Sequence, residues 1–412
     1  MTLTRRTLLA AVPLLSVASV VRAAEPDLSA LSDITRDIAP IGVAERAARL
    51  ARAQSLMRSL GMRAVVVEPG ASLTYFTGIR WGRSERLTAA VIPVEGEPLI
   101  VTPYFEEPSI RETLAIPAEV RVWQEDEDPI RRITEWLVAA KLDKGVIGIE
   151  ETARFFVADG LKALTGATFV LADPVVRGCR MRKSPAEIAL MQAATDVTIA
   201  AYRWTYARVE AGMTGAQIGA LMNAATARLG GDPEFALALI GEASAYPHGS
   251  RTVHRVADGQ VVLMDCGCSV GGYQSDVSRT WVHGKATAEQ HRVWDQVASG
   301  QQLAFATAQV GTPAGAVDDA VRRLYGSLGY GPGYKRPGLP HRTGHGIGMD
   351  GHEPVNLVHG EAMRLAPGMC FSDEPGLYLP GRFGVRLEDC FHMTDAGPKW
   401  FSEPLVSMES PV

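Results

Sequence analysis

The chain has 412 residues, more than one hydrophobic core usually organises, so two domains are expected, each large enough to bury its own core. Apolar residues make up 46% and charged residues 21%, with no low-complexity run or short-period repeat, which excludes the disordered and fibrous classes. The formal charge of −5 makes nucleic acid and anionic membrane poor partners.

The long apolar run MTLTRRTLLAAVPLLSVASVVRAAEP opens the sequence and sets Arg5 and Arg6 before apolar and small residues that end in Val21-Arg22-Ala23. That order reads as a twin-arginine export signal, residues 1–23, cleaved after Ala23, and points to a periplasmic protein. As a membrane anchor the run is short against a span of roughly 20 residues, so no stable membrane association is expected after cleavage. Cleavage takes three arginines and no acid from 41 basic and 46 acidic residues, leaving a mature charge of −8.

Residues 24–42 read as a polar, helix-poor linker. VAERAARLARAQSLMRSLG (43–61) has apolar residues at helical spacing and a glycine stop. AVVVEP, AAVIPV, PLIVTP, VRVWQ and GVIGIE then read as strands, with DPIRRITEWLVAAKL and ARFFVADGLKALTG as helices among them, so 43–178 is expected to be a smaller α/β domain. Near residue 180 the pattern changes to long helices, with Ser184 as a cap before Pro185. The second domain, 179–412, reads as helices, strands in QVVLMDCG and YQSDVSRTWV, two more helices, a histidine-rich stretch, and a last pair MCFSDEPGLYL and FGVRLEDCFHM. Helices cluster apart from hairpins, which implies an α+β fold with a mostly antiparallel sheet.

Cys179, Cys266, Cys268, Cys370 and Cys390 are an odd number in apolar segments and read as buried thiols, with one bridge left open. CGC is not a C-x-x-C motif, and no second pair completes a zinc site.

The chemistry gathers on two hairpins. Gly271-Gly272 signals a two-residue turn with positive φ at both positions; centring it there sets Gly267 opposite Asp276. Asp265 shares a face with Gly267, so the two aspartates become diagonal neighbours about 7–8 Å apart. Glu374 and Glu388 flank a second hairpin centred near Gly381, with Arg386 on their face. One buried carboxylate in an apolar strand is usually a hydrogen-bonded structural group, but four together repel unless a cation lies between them. His345, between Gly344 and Gly346 in HRTGHGIGMDGHEP, supplies an imidazole to an oxygen-rich set suited to Mn²⁺, Fe²⁺, Co²⁺ or Zn²⁺, and charge counting favours two ions. GHGIG lacks the spacing of a nucleotide loop, and HExxH and GxSxG are absent.

With MDCG, QSDVSRT, TGHGIG, SDEPGLY and GVRLEDC in order, the chain resembles the M24 metallopeptidase family of pita-bread fold, in its creatinase/aminopeptidase P branch. The resemblance implies a C-terminal pita-bread catalytic domain preceded by a creatinase-type N-terminal domain. It implies that Asp265 chelates one metal, that Asp276 and Glu388 bridge two, and that His345 and Glu374 complete the other, with manganese expected first and cobalt, zinc or iron as alternatives. Glu374 would shuttle the proton of a metal-bridging hydroxide. His248, His341 and His352 would line the substrate pocket, with His341 and His352 facing the developing oxyanion, and Arg386 would hold a metal-binding aspartate. The activity implied is hydrolysis of the bond before proline in small peptides, as an Xaa-Pro aminopeptidase or dipeptidase, by a homodimer. Because the family includes other C–N hydrolases, a lyase and scaffold proteins, a dinuclear enzyme for a small non-peptide metabolite is the alternative, and a non-catalytic peptide binder a third reading that the intact ligand set disfavours. Asp373, directly before Glu374, departs from the family pattern, and strand alternation turns it to the other face as a structural group.

Overall fold

The computed structural model describes residues 26–412; the export signal read at 1–23 lies outside the described residues. Residues 26–42 hold no helix or strand, as expected, yet they are not a free tether. Leu28, Leu31, Ile38 and Ile41 pack on the larger core, and the Ile34 amide donates to Leu229 O at 3.0 Å. Their irregular spacing gave no periodic signal, so only tertiary packing reveals their role.

The N-terminal half alternates helix and strand: α1 (Val43–Leu60), β1 (Met62–Val67), α2 (Ala71–Thr77), β2 (Ala89–Pro93), β3 (Leu99–Pro103), α3 (Glu107–Thr113), β4 (Glu119–Trp123), α4 (Pro129–Ala139), β5 (Lys144–Ile149), α5 (Phe155–Leu164), β6 (Gly166–Leu171) and α6 (Asp173–Arg180). Helix α1 stops where expected, because Gly61 takes the left-handed conformation at φ 68° and its amide closes the last turn. Six strands form one mixed sheet in the order β4-β3-β2-β1-β5-β6, with antiparallel pairing only at β1–β2 and β2–β3. Apolar clusters cover both faces, one under α1, α2 and α6 and one under α4 and α5.

The C-terminal half begins with α7 (Pro185–Tyr206), whose Ser184 cap is completed by Glu187 as a capping box. It continues through α8 (Gly215–Arg228), β7 (Asp232–Ile240), β8 (Gln260–Val270), β9 (Tyr273–Gln274), β10 (Val277–His283), α9 (Ala288–Thr307) and α10 (Ala314–Ser327). The remainder is strand: β11 (Gly344–Gly346), β12 (Glu353–Leu357), β13 (Cys370–Asp373), β14 (Gly376–Leu379), β15 (Phe383–Arg386), β16 (Asp389–Thr394) and β17 (Gly397–Trp400). Every ladder in this half is antiparallel. One sheet runs β10-β8-β7, a second runs β12-β11-β13-β16-β17, and the hairpin β14-β15 stands between. Helices α7 and α8 lie against β7 and β8, while α9 and α10 cover the second sheet, so the helices enclose a strand layer as the pita-bread fold requires. All five cysteines are buried and unbridged, and no described helix is long and apolar enough to cross a membrane.

Candidate metal centre

The register of the first hairpin is the one that its glycines specify. Gly271 and Gly272 turn at φ 58° and 85°, Ser269 pairs with Gln274, and Val277 pairs with Cys266, which carries Asp276 opposite Gly267. Only glycine fits at 267, because a Cβ there would lie 2.3 Å from Ser275 O and 2.6 Å from the Phe235 ring. Asp276 itself falls in the gap between β9 and β10, off the ladder.

The second hairpin keeps one register across two sheets. Cys370 pairs with His392 in one and Gly376 with Arg386 in the other, so Glu374 and Glu388 face each other where the strands pass between sheets. There their backbones are taken up elsewhere: the Glu374 amide donates to Thr343 O at 2.8 Å, and Glu388 exchanges hydrogen bonds with Ser278 of β10 at 3.1 and 3.2 Å. That bridge joins the two hairpins.

All nine residues singled out from the sequence, Asp265, Asp276, His345, Glu374, Glu388, His248, His341, His352 and Arg386, line one cavity of about 660 Å³. Ligand atoms of Asp276, His345 and Glu388 lie within 4.8 Å of one another. His345 Nε2 is 3.6 Å from Asp276 Oδ2 and 3.5 Å from Glu374 Oε1. Its Nδ1 lies 3.0 Å from Gly346 O, so the proton sits on Nδ1 and Nε2 turns a lone pair to the carboxylates. Asp265 is held from outside by Arg386, Nη2 to Oδ2 at 2.5 Å.

These acids are badly solvated. Glu388 Oε1 is buried without a hydrogen-bond partner, and no donor among the described residues reaches the carboxylates of Asp276 or Glu374. Burial first, and then Glu388 and Asp265, push Asp276 well above the carboxylate range; burial and the charges of Glu374 and Asp265 do the same to Glu388. Burial lifts Glu374 to about 7 even though Arg386 works against the rise. Orphaned, mutually repelling carboxylates around one imidazole fit divalent cations, because cations remove both penalties at once.

His341 departs from its expected role. Its Nδ1 donates to Arg342 O at 2.8 Å, and its Nε2 accepts from Tyr378 OH at 2.9 Å, so both nitrogens are committed and no donor is free for an oxyanion. Burial, with Arg386 next, lowers its pKa to about 3, which keeps the ring neutral. His352 has no ring partner among the hydrogen bonds and stands edge-on to His345 with centroids 4.2 Å apart. His248 lines the same cavity and is exposed. Asp373 does not line the cavity. It is fully buried with both oxygens unpartnered, across the ladder from Asp389.

Four residues that frame the site were not singled out. The Ser278 hydroxyl lies 3.1 Å from Asp265 Oδ1 and 2.7 Å from Glu388 Oε2, and accepts from Arg386 Nε at 2.9 Å. Arg279, buried behind it, grips Asp389 through Nη2 at 2.7 Å and Glu388 O through Nη1 at 2.9 Å. Both stand in QSDVSRT beside Asp276, so the motif held them although strand alternation assigned them no partner. Asp318 on α10 had no sequence signal. Fully buried, it accepts from Thr343 N and Oγ1 at 3.1 and 2.7 Å, His359 N at 2.9 Å and Arg322 Nε at 2.7 Å, and so fixes the strand that carries His345. Arg342 also lines the cavity, and its guanidinium forms no ion pair among the described residues.

Asp318→Ala is therefore expected to cost roughly 3–5 kcal/mol, because it leaves Arg322 Nε, Thr343 N and Oγ1 and His359 N without their acceptor, and to weaken metal retention through His345. Denaturant melts with metal analysis check this; Asp318→Asn, which keeps the shape, should lose less.

Residues 189–395 match the family Metallopeptidase family M24, and residues 49–182 match the Creatinase/Prolidase N-terminal domain. The chain is 33% identical to the probable dipeptidase PepE of Mycobacterium tuberculosis over 85% of this chain and 92% of that protein. It is 29% identical to the Xaa-Pro dipeptidase of Lactobacillus helveticus over 80% of this chain and 90% of the relative. The crystal structure of dipeptidase PepE from Mycobacterium ulcerans superposes with a TM-score of 0.80 at 30% identity, over 89% of this chain and 97% of that one.

Proposed function

We propose that this chain, which belongs to metallopeptidase family M24, hydrolyses the bond before proline in Xaa-Pro dipeptides and short Xaa-Pro peptides, with two divalent ions held by Asp265, Asp276, His345, Glu374 and Glu388. The observation that carries it is the convergence on the free Nε2 of His345 of Asp276 and Glu374, which no donor among the described residues reaches, and of Glu388, whose Oε1 is buried without a partner, in a cavity large enough for a small peptide. The proline preference is supported by relatives named Xaa-Pro dipeptidase. When bound, the ions would supply an activated water and polarise the scissile carbonyl.

The chain's own residues supply the rest. Glu374, on the cavity wall with its Oε1 3.5 Å from His345 Nε2, is placed to accept the proton of the water and return it to the leaving nitrogen. A prolyl nitrogen carries no N–H, so its departure depends on that returned proton. His352, whose ring has no partner among the described residues, is free to donate to the oxyanion, while Tyr378 occupies His341 Nε2 and keeps that ring as part of the wall. Arg386 holds Asp265, and Ser278, which accepts from Arg386 Nε, holds Glu388 Oε2. Arg342, with no ion pair of its own, is placed to meet a substrate carboxylate, which favours short peptides. Manganese as the native metal, a homodimer, and export guided by Arg5 and Arg6 belong to the same proposal.

The test compares Ala-Pro and Ala-Pro-Ala with Ala-Ala-Ala and creatine. Proline peptides are expected to be cleaved at least about tenfold faster by kcat/KM. Equal cleavage of both tripeptides, or cleavage of creatine alone, overturns the proline assignment.

A further inference from the structure

The loop that carries His352 is gripped from behind by a carboxylate that the chemistry above does not use. Glu353 follows His352 and is only 6% exposed. Its oxygens accept from Arg180 Nη2 at 2.6 Å, Lys183 Nζ at 2.9 Å, and the backbone amides of Met349 and Asp350 at 3.0 and 3.3 Å. Burial would push this carboxyl up, but Lys183 and Arg180 hold it down at about 2, so it stays charged. The loop passes so close that a Cβ on Gly348 would lie 2.7 Å from Lys183 Cε and 2.8 Å from Glu353 Oε1.

Both cations come from the junction between the two halves of the chain. Arg180 ends α6, and its Nη1 reaches Ser72 Oγ on α2 at 2.9 Å while Nη2 also meets Asp350 Oδ2 at 2.7 Å. The Lys183 amide donates to Gly368 O at 2.7 Å. A second buried lock sits beside this one: Arg49 of α1 donates to Tyr273 OH at 2.8 Å, and Tyr273 OH donates to Glu187 Oε1 at 2.6 Å. Among the described residues the His352 ring has no hydrogen-bond partner to orient it, so its place at the cavity depends on the loop.

The geometry points to Glu353, held by Arg180 and Lys183, as the positioning residue for His352, so that the N-terminal half of the chain fixes the substrate-facing loop of its own catalytic half. Its kinetic arm rests on the peptidase proposal; its structural arm does not. Loss of the clamp loosens residues 347–353 without touching a metal ligand.

Two measurements on the full metal-loaded chain test it. In hydrogen exchange, Arg180→Ala and the gentler Glu353→Gln are expected to speed exchange in residues 347–353 by about tenfold or more, with residues 260–270 unchanged. In kinetics on Ala-Pro, Arg180→Ala is expected to lower kcat between about tenfold and 10²-fold with the metal content kept, but to add less than about twofold in a His352→Ala background. Unchanged exchange in the loop, or equal losses in both backgrounds, overturns the clamp. A loosened loop in a protein that never cleaves Ala-Pro supports the clamp and removes the peptidase proposal instead.

Discussion

Glu388→Ala is expected to lower kcat/KM on a proline dipeptide by more than about 10³-fold and to cut the bound metal by at least one ion per chain. Glu388 offers Oε1 with no other partner, and its second oxygen rests on Ser278, so no neighbouring group can stand in as a ligand. The loss should not come from misfolding. In the metal-free protein the carboxylate is opposed by burial and by Glu374 and Asp265, while the Glu388 backbone keeps its bridge to Ser278. Metal-free Glu388→Ala should therefore melt no lower than metal-free wild type. Metal analysis, calorimetric melts and turnover together check this, and a variant that keeps two ions and full turnover contradicts the bridging role.

The second large effect is on stability. In the metal-free fold Glu374 is raised from an ordinary 4.5 to about 7, chiefly by burial. A carboxyl raised on folding binds its proton more tightly in the folded state, so folded stability falls as pH rises from about 4.5 to about 7, with the full penalty above that window. The size is about 3 kcal/mol for that shift. His341 works in the opposite direction: lowered from 6.5 to about 3, it weakens the fold as pH falls below 6.5. Comparison with Glu374→Gln isolates the glutamate, since both proteins carry the same histidines. With chelator present, Glu374→Gln is expected to be more stable than wild type by up to about 3 kcal/mol at pH 8, and no more stable near pH 4.5. A difference that does not change with pH would show that Glu374 is not destabilised by burial.

The hairpins were legible because a two-residue glycine turn and an odd loop each fix a register, and register fixes which side chains share a face. That reasoning reached Asp265, Asp276, Glu374 and Glu388, and set Asp373 apart from them. Residue spacing within one motif could not show the partners that arrive from other elements. Asp318 acts on His345 from α10, the Arg279–Asp389 pair ties β10 to β16, and Tyr378 commits the second nitrogen of His341. Each of these contacts spans tens of residues of chain, so nothing local in the sequence encodes it. In the N-terminal half the strands β1 to β5 announced themselves through apolar runs. β6 was not singled out, and its residues are exposed or half-buried at the sheet edge. Residues 26–42 show the same limit, since their packing on the larger core follows from tertiary fit and not from any repeat.

The most direct test of a dinuclear metal peptidase is turnover of Ala-Pro by the same protein before chelation, after chelation, and after stepwise return of Mn²⁺. About two ions per chain are expected in the active protein, with turnover lost on stripping and restored in proportion to the ions returned. Full turnover by protein shown to hold no metal would contradict it.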